Sequence, residues 1–169
     1  MSAQISLRPY LPSDAPLCAA VFRAAIADAA VEDYSEEQCA AWAASADDAA
    51  AFAKRLSEAL TLIAVIGGAP AGFASLKGAD IIDMLYVDPP HARRGVATAL
   101  VDALCRIAQA RGAKRISCDA SDTARACFER LGFAPQRRNL VQVDDQWLAN
   151  TTMTKALAES APEPSPTHH

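Results

Sequence analysis

The stretch HARRGVATAL, residues 91–100, decides how the chain reads. It follows an apolar run, Ile81–Val87, and a Pro89-Pro90 break, and it leads straight into a helical pattern. A helix start offers backbone N–H groups without partners and the positive end of the helix dipole. Gly95 lets the chain approach a ligand with no Cβ in the way, Ala97 is the next smallest choice, and Arg93-Arg94 add positive charge. Together these favour a phosphate or pyrophosphate held at the turn. The competing reading is an ordinary strand-to-helix turn with arginines in solvent. The stretch matches neither G-x-x-x-x-G-K-[ST] nor a G-x-G-x-x-G followed by an acidic ribose ligand.

Outward from the loop, the pattern is regular. TLIAVI, AGFASLK and IIDMLYV are apolar, partly β-branched runs separated by GGAP and GAD, which predicts an antiparallel meander with tight turns. After the loop, Val96, Leu100, Val101, Leu104, Ile107 and Ala108 form the buried stripe of a helix from about Arg94 to Arg111, closed by Gly112. KRISCDA reads as a strand. SDTARACFERLGF reads as a short helix capped by Ser121 and ended at Gly132. FAPQRRNLVQV and QWLANTTMTKAL read as a last strand pair joined by Asp144-Asp145. Towards the N-terminus, Ile5–Leu7 is a short strand. A helix capped by Ser13 or Asp14 follows, with Leu17, Cys18, Val21, Phe22 and Ala25 on one face. Ser35 and Gln38 make a capping box for a second helix, and Asp47-Asp48 cap a third running through Leu60. The order is β, helices, βββ, α, β, α, ββ, with no internal repeat and no linker.

The composition narrows the function. A chain of 169 residues suits one domain, expected over 1–157. The tail AESAPEPSPTHH, residues 158–169, is rich in proline and small polar residues and is expected to be disordered; His168-His169 read as the remnant of a tag. A formal charge of −4 and a pI near 5.3 oppose a general nucleic-acid binder, which needs a broad basic surface. No apolar run approaches the roughly 20 residues that span a membrane. No signal peptide is read at the N-terminus. Cys18, Cys39, Cys105, Cys118 and Cys127 contain no C-x-x-C and are odd in number, so neither disulfides nor a metal site is expected, and a cytoplasmic setting is.

Several motifs in the right order carry a resemblance. YVDPPHARRGVATALVDAL resembles the acetyl-CoA-binding motif of the GNAT (GCN5-related) N-acetyltransferase superfamily, Q/R-x-x-G-x-G/A after a strand ending V-x-P. DASDTARACFERLGF is similar to that superfamily's following segment with its terminal L-G-F. YSEEQCAAW and NTTMTK are similar to one bacterial subgroup of small members. The resemblance spans about Ile5–Leu157. It implies an α/β (α+β) fold with a mixed sheet of about seven strands flanked by about four helices. It also implies transfer of an acetyl group from acetyl-CoA to a primary amine of a small molecule or peptide, through a tetrahedral intermediate and without a metal. Two departures stand out: Ala92 occupies the first motif position, and Phe128 stands where many members carry a tyrosine general acid. They support an alternative, a non-catalytic acyl-CoA-binding sensor or interaction domain. The oligomeric state is open, a homodimer among the options.

The resemblance implies that the amides of Leu85 and Val87, with Tyr86 between them, meet the pantetheine arm. Arg93, Arg94, Gly95, Val96, Ala97 and Thr98 would surround the pyrophosphate, and Cys127 and Phe128 would approach the cofactor. Asp83 is the candidate base: in a regular strand it shares a face with Ile81, Leu85 and Val87, and apolar neighbours would raise its pKa. An ion pair with an arginine is the alternative. Tyr86 would point the opposite way, as proton donor or packing residue. Tyr34 and Trp42 are candidates for the acceptor wall, with packing the competing role. Glu32, Asp33, Glu36 and Glu37 form an acidic group that suits either a cationic amine or the helix dipole. His91 is read as a phosphate contact or a solvated side chain, and Arg137-Arg138 as a solvated turn.

Overall fold

The computed structural model describes residues 4–158. The tail expected to be disordered, from Glu159 on, and the His168-His169 pair lie outside them. The three apolar runs form the expected meander: β2 (Leu60–Ile66), β3 (Ala69–Lys77) and β4 (Ile81–Val87) pair antiparallel in turn. β1 (Ile5–Pro9) adds antiparallel to β2. On the other side β4 meets β5 (Arg115–Ser121), the one parallel pair among the described residues. The C-terminal hairpin, β6 (Ala134–Val143) and β7 (Gln146–Ala156), closes the sheet in the order β1-β2-β3-β4-β5-β7-β6. Asp144, in the left-handed region at φ 53, makes its turn.

Five helices cover the sheet: α1 (Ala15–Ala29), α2 (Glu36–Ala44), α3 (Ala49–Glu58), α4 (Val96–Ala110) and α5 (Arg125–Arg130). α4 and α5 pack on one face, where Leu100, Val101, Leu104 and Phe128 meet Leu76, Ile82 and Ile116. α1, α2 and α3 cover the other, with Phe22, Phe52 and Leu56 against Ile63, Phe73 and Met84. β3 is therefore buried on both faces and reads as a continuous apolar run.

Most local signals act as expected. Ser35 Oγ accepts from Gln38 N at 3.1 Å while Gln38 Oε1 accepts from Ser35 N at 2.8 Å, and Asp48 caps α3 through Ala51 N at 3.0 Å. Asp14 differs. Its carboxylate accepts from Arg8 Nη1 and Nη2 at 2.8 and 2.9 Å and from Leu11 N at 2.8 Å, so it ties the first helical turn to β1 rather than capping α1. The hydrogen bond from Arg8 holds the Asp14 carboxyl below the usual carboxylate range. α4 starts at Val96, two residues later than expected, because Gly95 is left-handed at φ 83.

Candidate active site

The sheet is split at its centre. β4 and β5 pair only at Ile81–Ser117 and Ile82–Cys118, and their C-terminal halves then part. Beyond Ile82 the backbone edge of β4 that faces β5 has no strand partner, although its other edge stays paired to β3 as far as Val87. Two cavities open in the gap. The narrower, about 230 Å³, runs between Leu85, Tyr86 and Val87 of β4, Ala25, Ile26 and Ala29 of α1, and Thr123, Ala124 and Cys127. At its far end lie Pro89, Ala92 and Ala97 of the loop. The wider, about 410 Å³, opens between Asp83, Asp119, Arg55 and the β6–β7 hairpin. Trp42, Leu85, Tyr86, Ser121 and Ala124 border both.

The loop has the form its sequence suggests. Arg93 and Gly95 are both left-handed, at φ 63 and 83, the curled backbone from which anion-binding nests are made. Ala99 N–H bonds back to Gly95 O at 3.0 Å, so the amides of Val96, Ala97 and Thr98 are left for an outside acceptor. Arg93 and Arg94 are exposed beside them. The Val96 side chain is buried in the core, which leaves only its amide for a ligand. A Cβ at Gly95 would approach nothing nearer than Ile5 Cδ1 at 3.8 Å, so its backbone twist, not protein crowding, requires glycine there. Gly72 on β3 is the crowded one. A Cβ there would lie 2.7 Å from Tyr86 O and 3.1 Å from Val96 Cγ1, so β3 locks the end of β4 to the start of α4.

Asp83 does not sit where a regular strand would put it. Ser75 pairs with Met84 and Leu76 with Ile82, so Asp83 is the extra residue of a β-bulge. The bulge inverts the alternation. Asp83 turns to the face covered by α1–α3, with Met84 and Tyr86, not to that of Leu85 and Val87. Its surroundings are not apolar either: Arg55 of α3 donates to it through Nε at 2.8 Å and Nη2 at 3.1 Å. The apolar surroundings expected of Asp83 are therefore absent, and the alternative, an arginine pair, holds. Burial opposes the charge on Arg55, but the hydrogen bond and charge of Asp83 outweigh it and raise the Arg55 pKa. Arg55 had no distinguishing signal in the sequence.

Tyr86 lies across the junction of the two cavities. Its ring meets Phe22 edge-on at 4.7 Å, Phe73 at 5.7 Å and Trp42 at 6.3 Å. Burial pushes its phenol up to about 12, against the opposing influence of Trp42 and Arg55, so the hydroxyl stays protonated at neutral pH. Tyr34 is buried. Its hydroxyl donates to Ala149 O at 2.6 Å and accepts from Asp122 N at 2.8 Å, bridging β7 to the β5–α5 turn. Burial raises its pKa. Tyr34 is thus a strut of the wider cavity, and Trp42 stacks on it edge-on at 5.7 Å.

The remaining candidates divide. Cys127 lines the narrower cavity, and burial pushes its thiol up, which disfavours a nucleophilic thiolate. Phe128 lines the wider cavity rather than the narrower, packed edge-on to Phe133 at 5.1 Å. Glu32, Asp33, Glu36 and Glu37 are exposed and line neither cavity. His91 is half-buried, its Nδ1 without a partner. Arg138 is not a solvated turn: it lies in β6, donates to Asp122 through both terminal nitrogens, one at 2.9 Å, and reaches Thr151 at 3.1 Å. Thr123, missed in the sequence, has a buried Oγ1 with no partner beside the narrower cavity. Among the described residues, no helix is long and apolar enough to cross a membrane.

Comparison with known proteins agrees with this geometry. The family described as "Acetyltransferase (GNAT) domain" matches residues 30–157. The uncharacterized N-acetyltransferase YafP of Escherichia coli (strain K12) is 35% identical over 149 residues, 88% of this chain and 94% of that one. A GCN5-related N-acetyltransferase from Rhodopseudomonas palustris, whose structure is described as "Aminotransferase, Class-II", is 54% identical, with a TM-score of 0.91 over 93% of this chain and 98% of that chain. The paia N-acetyltransferase from Thermoplasma acidophilum, solved with coenzyme A, shares the fold at 17% identity and a TM-score of 0.74, over 90% of this chain and 99% of that one. With its split sheet, its Gly95 loop and these relatives, the chain belongs to the GNAT acetyltransferase family.

Proposed function

We propose that the protein transfers an acetyl group from acetyl-CoA to a primary amine by direct attack on the thioester. The observation that carries this reading is the meeting of two cavities at Leu85, Tyr86 and Trp42, one leading to an anion-binding loop and one walled by charged side chains. The residues fit the donor. The free edge of β4 at Leu85 and Val87 offers amides and carbonyls to the pantetheine arm, and Thr123, its Oγ1 buried without a partner, lines the same channel. The amides from Arg93 to Thr98 and the two arginines suit the pyrophosphate. Acetyl-CoA supplies the activated acyl group. That structures of relatives hold coenzyme A or, for yncA from Salmonella typhimurium, acetyl-CoA supports the assignment of the donor.

The acceptor occupies the wider cavity. An ammonium has no lone pair, so its proton must leave, and Asp83, held in place by Arg55, takes it through a water. β4 amides at the bulge stabilise the developing oxyanion. Tyr86, kept protonated, replaces the general acid that Phe128 cannot be, and gives its proton to the departing thiolate. The test is thiol release with a panel of primary amines. Asp83→Asn and Tyr86→Phe should each lower kcat by ~10²–10⁴-fold while acetyl-CoA still binds. Wild-type kcat in both variants overturns the assignment of these two roles. Phe128 favours a second reading, acyl-CoA binding without turnover; acetyl-CoA binding with no thiol release from any amine would establish it.

A further inference from the structure

Three charged side chains line the wider cavity, and they come from three different elements: Arg55 from α3, Asp83 from the β4 bulge and Asp119 from β5. From their arrangement we propose that the acceptor is a free α-amino acid, its carboxylate taken by Arg55 and its ammonium lying against Asp83 and Asp119. The proposal rests on the acetyl-transfer reading above.

The geometry of Arg55 carries the argument. A guanidinium has five N–H donors and two edges that match a planar carboxylate. Asp83 occupies the side edge, through Nε and Nη2. The end edge, Nη1 with the second hydrogen of Nη2, has no other ion pair among the described residues, and the side chain is 46% exposed. A lysine or a hydroxyl would suffice to orient Asp83. An arginine that lines a cavity with one fork engaged and the other without a protein partner can take a second carboxylate bidentately.

The carboxylates form the complementary half. The parallel rungs Ile81–Ser117 and Ile82–Cys118 set the register, and Asp83 and Asp119 lie one position beyond the last rung on their two strands. Cys118 and Ala120 point into the α4 face of the core, so Asp119 points to the opposite face, the one Asp83 occupies. Asp119 accepts from Thr152 Oγ1 at 2.6 Å and forms no ion pair among the described residues. The charged wall therefore carries one cation and two anions, so a cationic amine is favoured and the α-carboxylate is still matched at Arg55. Phe22, Met84, Val143 and Leu148 supply an apolar wall for the side chain. A cavity of about 410 Å³ gives that side chain room.

The experiment compares L-leucine with L-leucinamide, which presents the same amine and side chain without the carboxylate. The wild-type enzyme should prefer L-leucine by at least ~10²-fold in kcat/KM, mostly through KM. Arg55→Gln, checked for unchanged acetyl-CoA affinity, should lose at least ~30-fold more on L-leucine than on L-leucinamide, the differential expected for a lost bidentate contact. Equal use of acid and amide by the wild type overturns the proposal and leaves amine acetylation standing. Equal losses on both in Arg55→Gln overturn it as well, by reducing Arg55 to a positioning residue for Asp83. Acetyl-CoA binding with no turnover of any amine defeats the acetyl-transfer reading itself, and the proposal with it. The wild-type comparison needs no variant, so a failure of Arg55→Gln to fold does not remove the test.

Discussion

Gly72 offers the most sharply defined perturbation. A Cβ added there lies 2.7 Å from the carbonyl oxygen of Tyr86, 3.1 Å from Val96 Cγ1 and 3.2 Å from Val87 Cα. Two of the three atoms are backbone, in a strand pinned between β3 and the gap, and cannot swing aside as a side-chain tip would. Overpacking of this kind costs ~1–3 kcal/mol. Alanine also restricts the unfolded chain, which returns ~0.4–1 kcal/mol. Taking the middle of each range, ~2 less ~0.7, Gly72→Ala loses ~1.3 kcal/mol, and at ~2–4 °C per kcal/mol for a domain of this size, Tm should fall by ~3–5 °C. Gly72→Val adds two further atoms to the same gap and should fall further. Calorimetric unfolding reads both. Because the displaced atoms belong to Tyr86 and Val87, acetyl-CoA affinity should fall with stability. A Tm for Gly72→Ala equal to or above wild type would refute the view that β3 clamps β4 to α4.

Tyr34→Phe removes one hydroxyl but orphans two backbone groups, Ala149 C=O and Asp122 N–H. Urea denaturation should show a loss of ~1–3 kcal/mol with the m-value unchanged. Asp14 titrates lower in the folded chain than its ordinary 3.8, so its contribution is complete above that value and is lost as pH falls through the folded pKa. Asp14→Asn should therefore be less stable than wild type at pH 7, and the gap should close progressively below about pH 4; a gap unchanged at low pH would show that charge is not its source.

The meander and the loop were legible because each signal is local. Glycine and proline mark the turns of residues 67–80, and Gly95 marks a left-handed backbone wherever the rest of the chain goes. The capping box at Ser35 is equally local. Asp83 was legible as a residue and illegible as a direction. β4 packs against helices on both sides, so Asp83 is the one charged residue in IIDMLYV and the run carries no alternation that would betray the bulge. Arg55 was invisible because its role depends on a partner 28 residues away, and in α3 it reads as one more charge on an amphipathic helix. Arg138 is hidden for the same reason, its carboxylate partner Asp122 lying 16 residues away in the β5–α5 turn. Tyr34 is conspicuous in the sequence, but a hydroxyl that braces Ala149 and Asp122 cannot be told there from one that meets a substrate.

The central claim is that the Gly95 loop and the gap between β4 and β5 hold acetyl-CoA. Calorimetric titration of acetyl-CoA into the purified protein tests it most directly. Binding should be saturable at one site and weakened at least ~10-fold by Gly95→Asp, which places a carboxylate beside the pyrophosphate. No detectable binding, or equal binding by wild type and Gly95→Asp, would contradict it.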